Sequence, residues 1–96
     1  MAQHVTITTE AEITLKPLIE SALRSELRML ELSLQRTAQR LRALEAQYGL
    51  TSEEFERCFN VGELEESLDF IEWAGEIKTY RLLDAHRQAL QGVHLT

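Results

Sequence analysis

Apolar residues return at alternating steps of four and three along the first half of the chain: Leu23, Leu27, Leu30, Leu34, Thr37, Leu41, Leu44 and Tyr48, with Thr37 the one polar member. That spacing keeps one side of an α-helix apolar along its length, the seam of a coiled coil or a helical bundle. It predicts a helix over 17–48, roughly 48 Å long at about 1.5 Å per residue. Pro17 suits the first turn, where its missing N–H would have no intrahelical partner. Glu20–Arg24 and Arg28–Glu31 are helical pairs, each worth only about 0.3 kcal/mol. So long a stripe needs a matching helix. Leu23, Leu27, Leu30, Leu34, Leu41, Leu44 and Tyr48 are therefore the expected dimer seam, with Thr37 available to fix register.

The helix has a marked end. Gly49 sits where a left-handed residue closes a helix. Thr51 then caps the next one, with Glu54 three residues on as a capping box and Leu50 and Phe55 at the spacing of a hydrophobic staple. A short helix over 52–59 follows, interrupted by Asn60 and Gly62. A third helix is expected over 64–91, with Gly92 as its stop. Its wheel carries two apolar stripes roughly 200° apart: Leu64, Leu68, Ile71, Gly75 and Leu82 on one, Phe70, Trp73, Ile77 and Tyr80 on the other. A helix apolar over more than half its circumference packs on more than one side, and one neighbour covers only one stripe.

Before the long helix, Val5 and Ile7 alternate with threonines, a short strand signal over 4–8 within an arm at 1–13. Ile13 and Leu15 alternate too and would complete a small hairpin, which is marginal alone in water. The expected fold is thus a single all-α domain over 1–96, a helical hairpin that dimerises into a bundle through the leucine seam or the third helix.

Composition agrees. The 96 residues are 44% hydrophobic, with Pro17 the only proline. A chain this short buries only about two-thirds of its unfolded surface, so a second copy or a partner helps stability. One cysteine, Cys58, forms no intrachain disulfide. The first residues lack the basic-then-apolar layout of a signal peptide, and no apolar run spans a bilayer, so the expected compartment is the cytoplasm. The net charge of −6 is uneven: residues 1–50 sum to zero, whereas 51–76 carry nine acids against Arg57 alone. Such a segment repels phosphate and suits a basic protein, so neither nucleic acid nor membrane is an expected partner.

No pattern carries catalysis. Glu65, Asp69, Glu72 and Glu76 form an acidic stripe, but without the Glu-x-x-His pairs of bundle metal centres or a cleft to separate carboxylate pKa values. A solvated face, or a ridge of ion pairs to Arg24, Arg28, Arg36, Arg40 or Arg42, fits better than a metal-dependent enzyme. His4, His86 and His94 are scattered. Cys58 lies between Phe55 and Phe59 with no base beside it. A strand before a helix is how ribbon-helix-helix DNA-binding regulators begin, but the arm lacks their basic footprint and the helix runs straight through the position of their turn. No cofactor is expected.

The stretch from Leu44 to Leu83 resembles the C-terminal part of small prokaryotic antitoxin-like proteins. The elements are Tyr48-Gly49-Leu50, Ser52 to Phe55, Gly62-Glu63-Leu64 and Asp69-Phe70-Ile71-Glu72-Trp73, in that order. The resemblance implies a type II toxin–antitoxin pair, with this chain as the inhibitor of a small basic toxin. On that reading Phe70, Trp73, Ile77 and Tyr80 anchor the partner by burial while Glu65, Asp69, Glu72 and Glu76 steer it. The alternative is a self-assembling structural coiled-coil dimer with no foreign ligand, and a further one is a metal-dependent enzyme or a DNA-binding regulator.

Overall fold

A computed structural model describes residues 3–5 and 12–95. Five elements follow one another: β1 (Gln3–Val5), α1 (Glu12–Tyr48), α2 (Ser52–Asn60), α3 (Leu68–Gln91) and β2 (Val93–Leu95). The all-α class and the three helices read from the sequence are present. α1 and α3 form an antiparallel hairpin: Tyr48 meets Phe70, Arg40 meets Glu72, and Leu30 lines a groove with Leu90.

Local chemistry sets the corner. Gly49 has φ +67°, the left-handed value that closes a helix without a Cβ clash, and its N–H donates to the Glu45 carbonyl at 2.8 Å. The Thr51 hydroxyl oxygen accepts from the Glu54 N–H at 3.1 Å and caps α2. The reciprocal half of the expected box differs, since the Thr51 hydroxyl itself donates to Glu54 Oε1. Ser67 caps α3 in the same way, accepting from the Phe70 N–H at 3.1 Å.

The boundaries correct several expectations. α1 starts at Glu12, so Pro17 lies inside the helix and Ile13 and Leu15 belong to α1, not to a hairpin. Proline removes only the bond its own N–H would make to the Ile13 carbonyl, and Pro17 itself is exposed. α3 begins at Leu68, after its serine cap, so Leu64 stays in the connecting turn. Of the strand expected over 4–8, His4 and Val5 lie in β1, which begins at Gln3, and residues 6–8 lie outside the described residues. β1 pairs in parallel with β2, Gln3 opposite Val93 and Val5 opposite Leu95.

The leucine seam is used within the chain. Leu30, Leu34, Thr37 and Leu44 are buried, and Leu23, Leu27, Leu41 and Tyr48 half-buried, with α3 folding back over the seam. These residues are therefore not an open dimer seam: a short corner brings the matching helix from the same chain.

The molecule is long, with extents of 59 × 22 × 17 Å and a radius of gyration of 18.7 Å. A compact chain of this length would have about 12.5 Å. Its core is correspondingly small, centred on Leu44, Phe55, Trp73 and Ile77.

Candidate protein-docking surface

Of the two stripes on α3, the aromatic one faces α1 and α2. Trp73 and Phe55 are both fully buried and stack at 4.0 Å between ring centroids, nearly parallel at 4°. Tyr48 also stacks on Trp73, at 5.9 Å, and Phe70 meets Tyr48 edge-on at 5.0 Å. The indole N–H donates to the Ser52 hydroxyl oxygen at 3.0 Å, while the Ser52 backbone N–H donates to Glu45 Oε2 at 2.7 Å. Both polar groups are thereby satisfied, as burial demands.

This corrects the expected partner-binding set. Trp73 and Ile77 are buried, Phe70 and Tyr80 half-buried, so none of the four stands out as a free anchor. Large aromatics bury more area than the Leu-Ile-Gly row, and the row with Trp73 also finds a partner for its N–H at Ser52. The hairpin therefore turns that face inward.

The other stripe is left outside. Leu68 is 86% exposed, Ile71 53% and Leu82 58%. With Gly75 they lie roughly 180° round α3 from Trp73. Val61, in the turn after α2, is exposed as well. The sequence pattern contains this row, but the periodicity alone does not say which of two stripes a single neighbour covers.

The acidic stripe is partly neutralised. Glu72 forms an ion pair with Arg40 at 2.7 Å, and among the described residues no other member of the expected arginine ridge pairs with the stripe. Asp69 accepts from the Tyr48 hydroxyl and, at 3.4 Å, from the Gln47 amide. Glu56 takes both amino groups of Arg81, at 2.6 and 2.8 Å. Glu65 and Glu66 are exposed in the turn just before α3, beside Leu68 in sequence. Among the described residues no three His, Cys, Asp or Glu side chains converge as metal ligands.

The electrostatics follow these contacts. The hydrogen bond to Asp69, then burial, raises the Tyr48 phenol above its usual value. Burial, then a hydrogen bond with Glu63, raises the Cys58 thiol, which keeps it protonated and weakly nucleophilic. The carboxylates of Glu72 and Glu56 hold the protons of Arg40 and Arg81 more tightly. The exposed apolar row of α3 has carboxylates about its Leu68 end and the exposed Lys78 and Arg81 near Leu82. None of the described helices is long and apolar enough to cross a membrane. Searches of protein-family models, curated proteins and solved structures return no match to this chain.

Proposed function

We propose that the chain is a protein-docking helical module of the antitoxin-like kind, which covers a small basic protein with the outer face of α3. The observation that carries this reading is the row Leu68, Ile71 and Leu82, exposed in a helix whose opposite face already fills the core. Apolar rows of this kind on a folded surface mark interaction sites. The charge around it selects the partner. Residues 51–76 sum to −8, and Glu65 and Glu66 stand in the turn leading to Leu68. Buried apolar side chains would supply affinity, and the carboxylates would speed encounter with a basic surface and reject an acidic one.

The test is a tagged full-length chain recovered from its native host. A small basic protein should co-purify in stoichiometric amount and be lost on Ile71→Glu, a change on the exposed row. With the recovered protein purified, association should slow markedly between about 50 and 200 mM salt, because screening shortens the reach of the acidic field. An acidic partner, no partner, or one indifferent to Ile71→Glu would overturn the proposal.

A further inference from the structure

The exposed row of α3 is longer than its three large side chains. Leu68, Ile71, Gly75, Lys78 and Leu82 follow at alternating steps of three and four, and Ala85 and Ala89 continue the rhythm. All of these positions are exposed. The row spans roughly 32 Å at about 1.5 Å per residue. It repeats the spacing of the inner row Phe70, Trp73, Ile77 and Tyr80, which faces α1 and α2. So α3 carries a seam on each of two opposite faces, and only the inner one is packed. An α-helix is the element whose side chains match a three-four seam along its whole length. Gly75, Ala85 and Ala89 leave room there for the larger side chains of an opposing helix.

One member of the row is charged, and it decides the occupant. Lys78 stands at the middle, between Leu68 at one end and Ala89 at the other. Among the described residues its ammonium finds no carboxylate, whereas Arg81 is held by Glu56 and Glu72 by Arg40. A second copy laid along the whole row, parallel or antiparallel, brings two copies of Lys78 together. Two ammonium groups in an apolar seam repel each other and lose their water, so the row does not pair with itself. A foreign helix with Asp or Glu at that level turns the same lysine into a paired charge. Glu65 and Glu66, in the turn before Leu68, and Glu72, exposed beside Ile71, call for basic side chains at the other end of that helix. Leu18, Met29 and Leu32 form another exposed row on α1, but it holds no charged member to tell one occupant from another.

We infer that the outer row of α3 is the seat of an amphipathic α-helix of the basic partner, with basic side chains toward Glu65 and Glu72 and one carboxylate opposite Lys78. Lys78 also keeps the row from pairing with a second copy. The inference rests on the docking role proposed above and specifies the element that docks.

The probes are two synthetic helical peptides of about 24 residues, long enough to cover the row. Both carry leucines at three-four spacing and lysines toward one end. They differ only at the central seam position, Glu in one and Lys in the other. Titrated with the full chain and followed by fluorescence anisotropy, the Glu peptide should bind at least tenfold more tightly than the Lys peptide. Lys78→Glu should reverse that order. Lys78→Leu should strengthen self-association at least tenfold by sedimentation equilibrium, and adding Ile71→Glu should undo the gain. Circular dichroism should be unchanged throughout, because every site is exposed. Equal binding of the two peptides, an order that survives Lys78→Glu, or a Lys78→Leu chain that self-associates no more than the parent would overturn the inference. The recovered basic protein separates this failure from that of the docking role. Its release by both Ile71→Glu and Ala85→Glu supports a helix along the row. Release by Ile71→Glu alone leaves docking standing and overturns the helix, and release by neither overturns both.

Discussion

Replacing Trp73 by alanine separates a core residue from a docking anchor. Trp73 has no exposed surface, stacks on Phe55 at 4.0 Å and donates its N–H to Ser52. Its loss leaves a cavity bounded by Tyr48, Phe55 and Phe70, in a core centred on only four buried apolar side chains. Deleting a buried aromatic to alanine costs about 3–5 kcal/mol. A domain of this length has about 5–14 kcal/mol in total. Each kcal/mol moves the melting temperature by about 4–8 °C, so Tm should fall by at least about 12 °C. Far-UV circular dichroism during heating, and urea unfolding at fixed temperature, measure the effect. A Trp73→Ala protein that melts within about 3 °C of the parent would refute the reasoning and return Trp73 to the surface. In the expected case, loss of a partner on Trp73→Ala says nothing about where the partner sits; Ile71→Glu, which should leave Tm nearly unchanged, does.

Other consequences follow from single contacts. Ser52→Ala strips the acceptor from a buried indole N–H and should cost about 1–3 kcal/mol by urea unfolding, with less than additive loss when combined with Trp73→Phe. Gly49→Ala forces a Cβ into φ +67°, which should destabilise the α1–α2 corner by about 1–2 kcal/mol in the same assay. Tyr48 has its phenol pKa raised in the fold by the bond to Asp69, so that contribution is complete below the ordinary phenol value and is lost as pH climbs through the raised one; urea midpoints should drop more steeply at alkaline pH than in Tyr48→Phe. Cys58 should react with a chromogenic disulfide at pH 8.5 more slowly than the same thiol in urea, since burial and Glu63 oppose its ionisation.

What the sequence made legible depended on how local its physics was. Gly49, Thr51 and Gly92 act through bonds to residues three or four places away, so the corner and the end of α3 follow from adjacent letters, whereas the Ser67 cap, not read from the sequence, starts α3 at Leu68 and not at 64. Helix existence was equally plain from the 4-3 rhythm of the leucines. The start of α1 was less so, because Pro17 signals a boundary but costs one hydrogen bond, which the helix tolerates on an exposed face. The pairing of β1 with β2 joins residues some 90 positions apart, and no local pattern encodes that register.

Which surface is free was the least legible feature. The leucine seam satisfies the pattern of a dimer and of an internal hairpin equally, and only chain reversal at Gly49–Thr51 decides for the hairpin. Once α3 lies on the seam, its Trp73 face competes with its Leu68–Ile71–Leu82 face for burial. The larger aromatic area, and an acceptor at Ser52 for the indole N–H, favour Trp73. That choice exports the aliphatic row beside the acidic turn and leaves the Leu18–Met29–Leu32 row near the other end of a 59 Å molecule. The long fold therefore keeps the α1 row apart from the acidic segment, because the corner at Gly49–Thr51 lies beyond the far end of that row along α1.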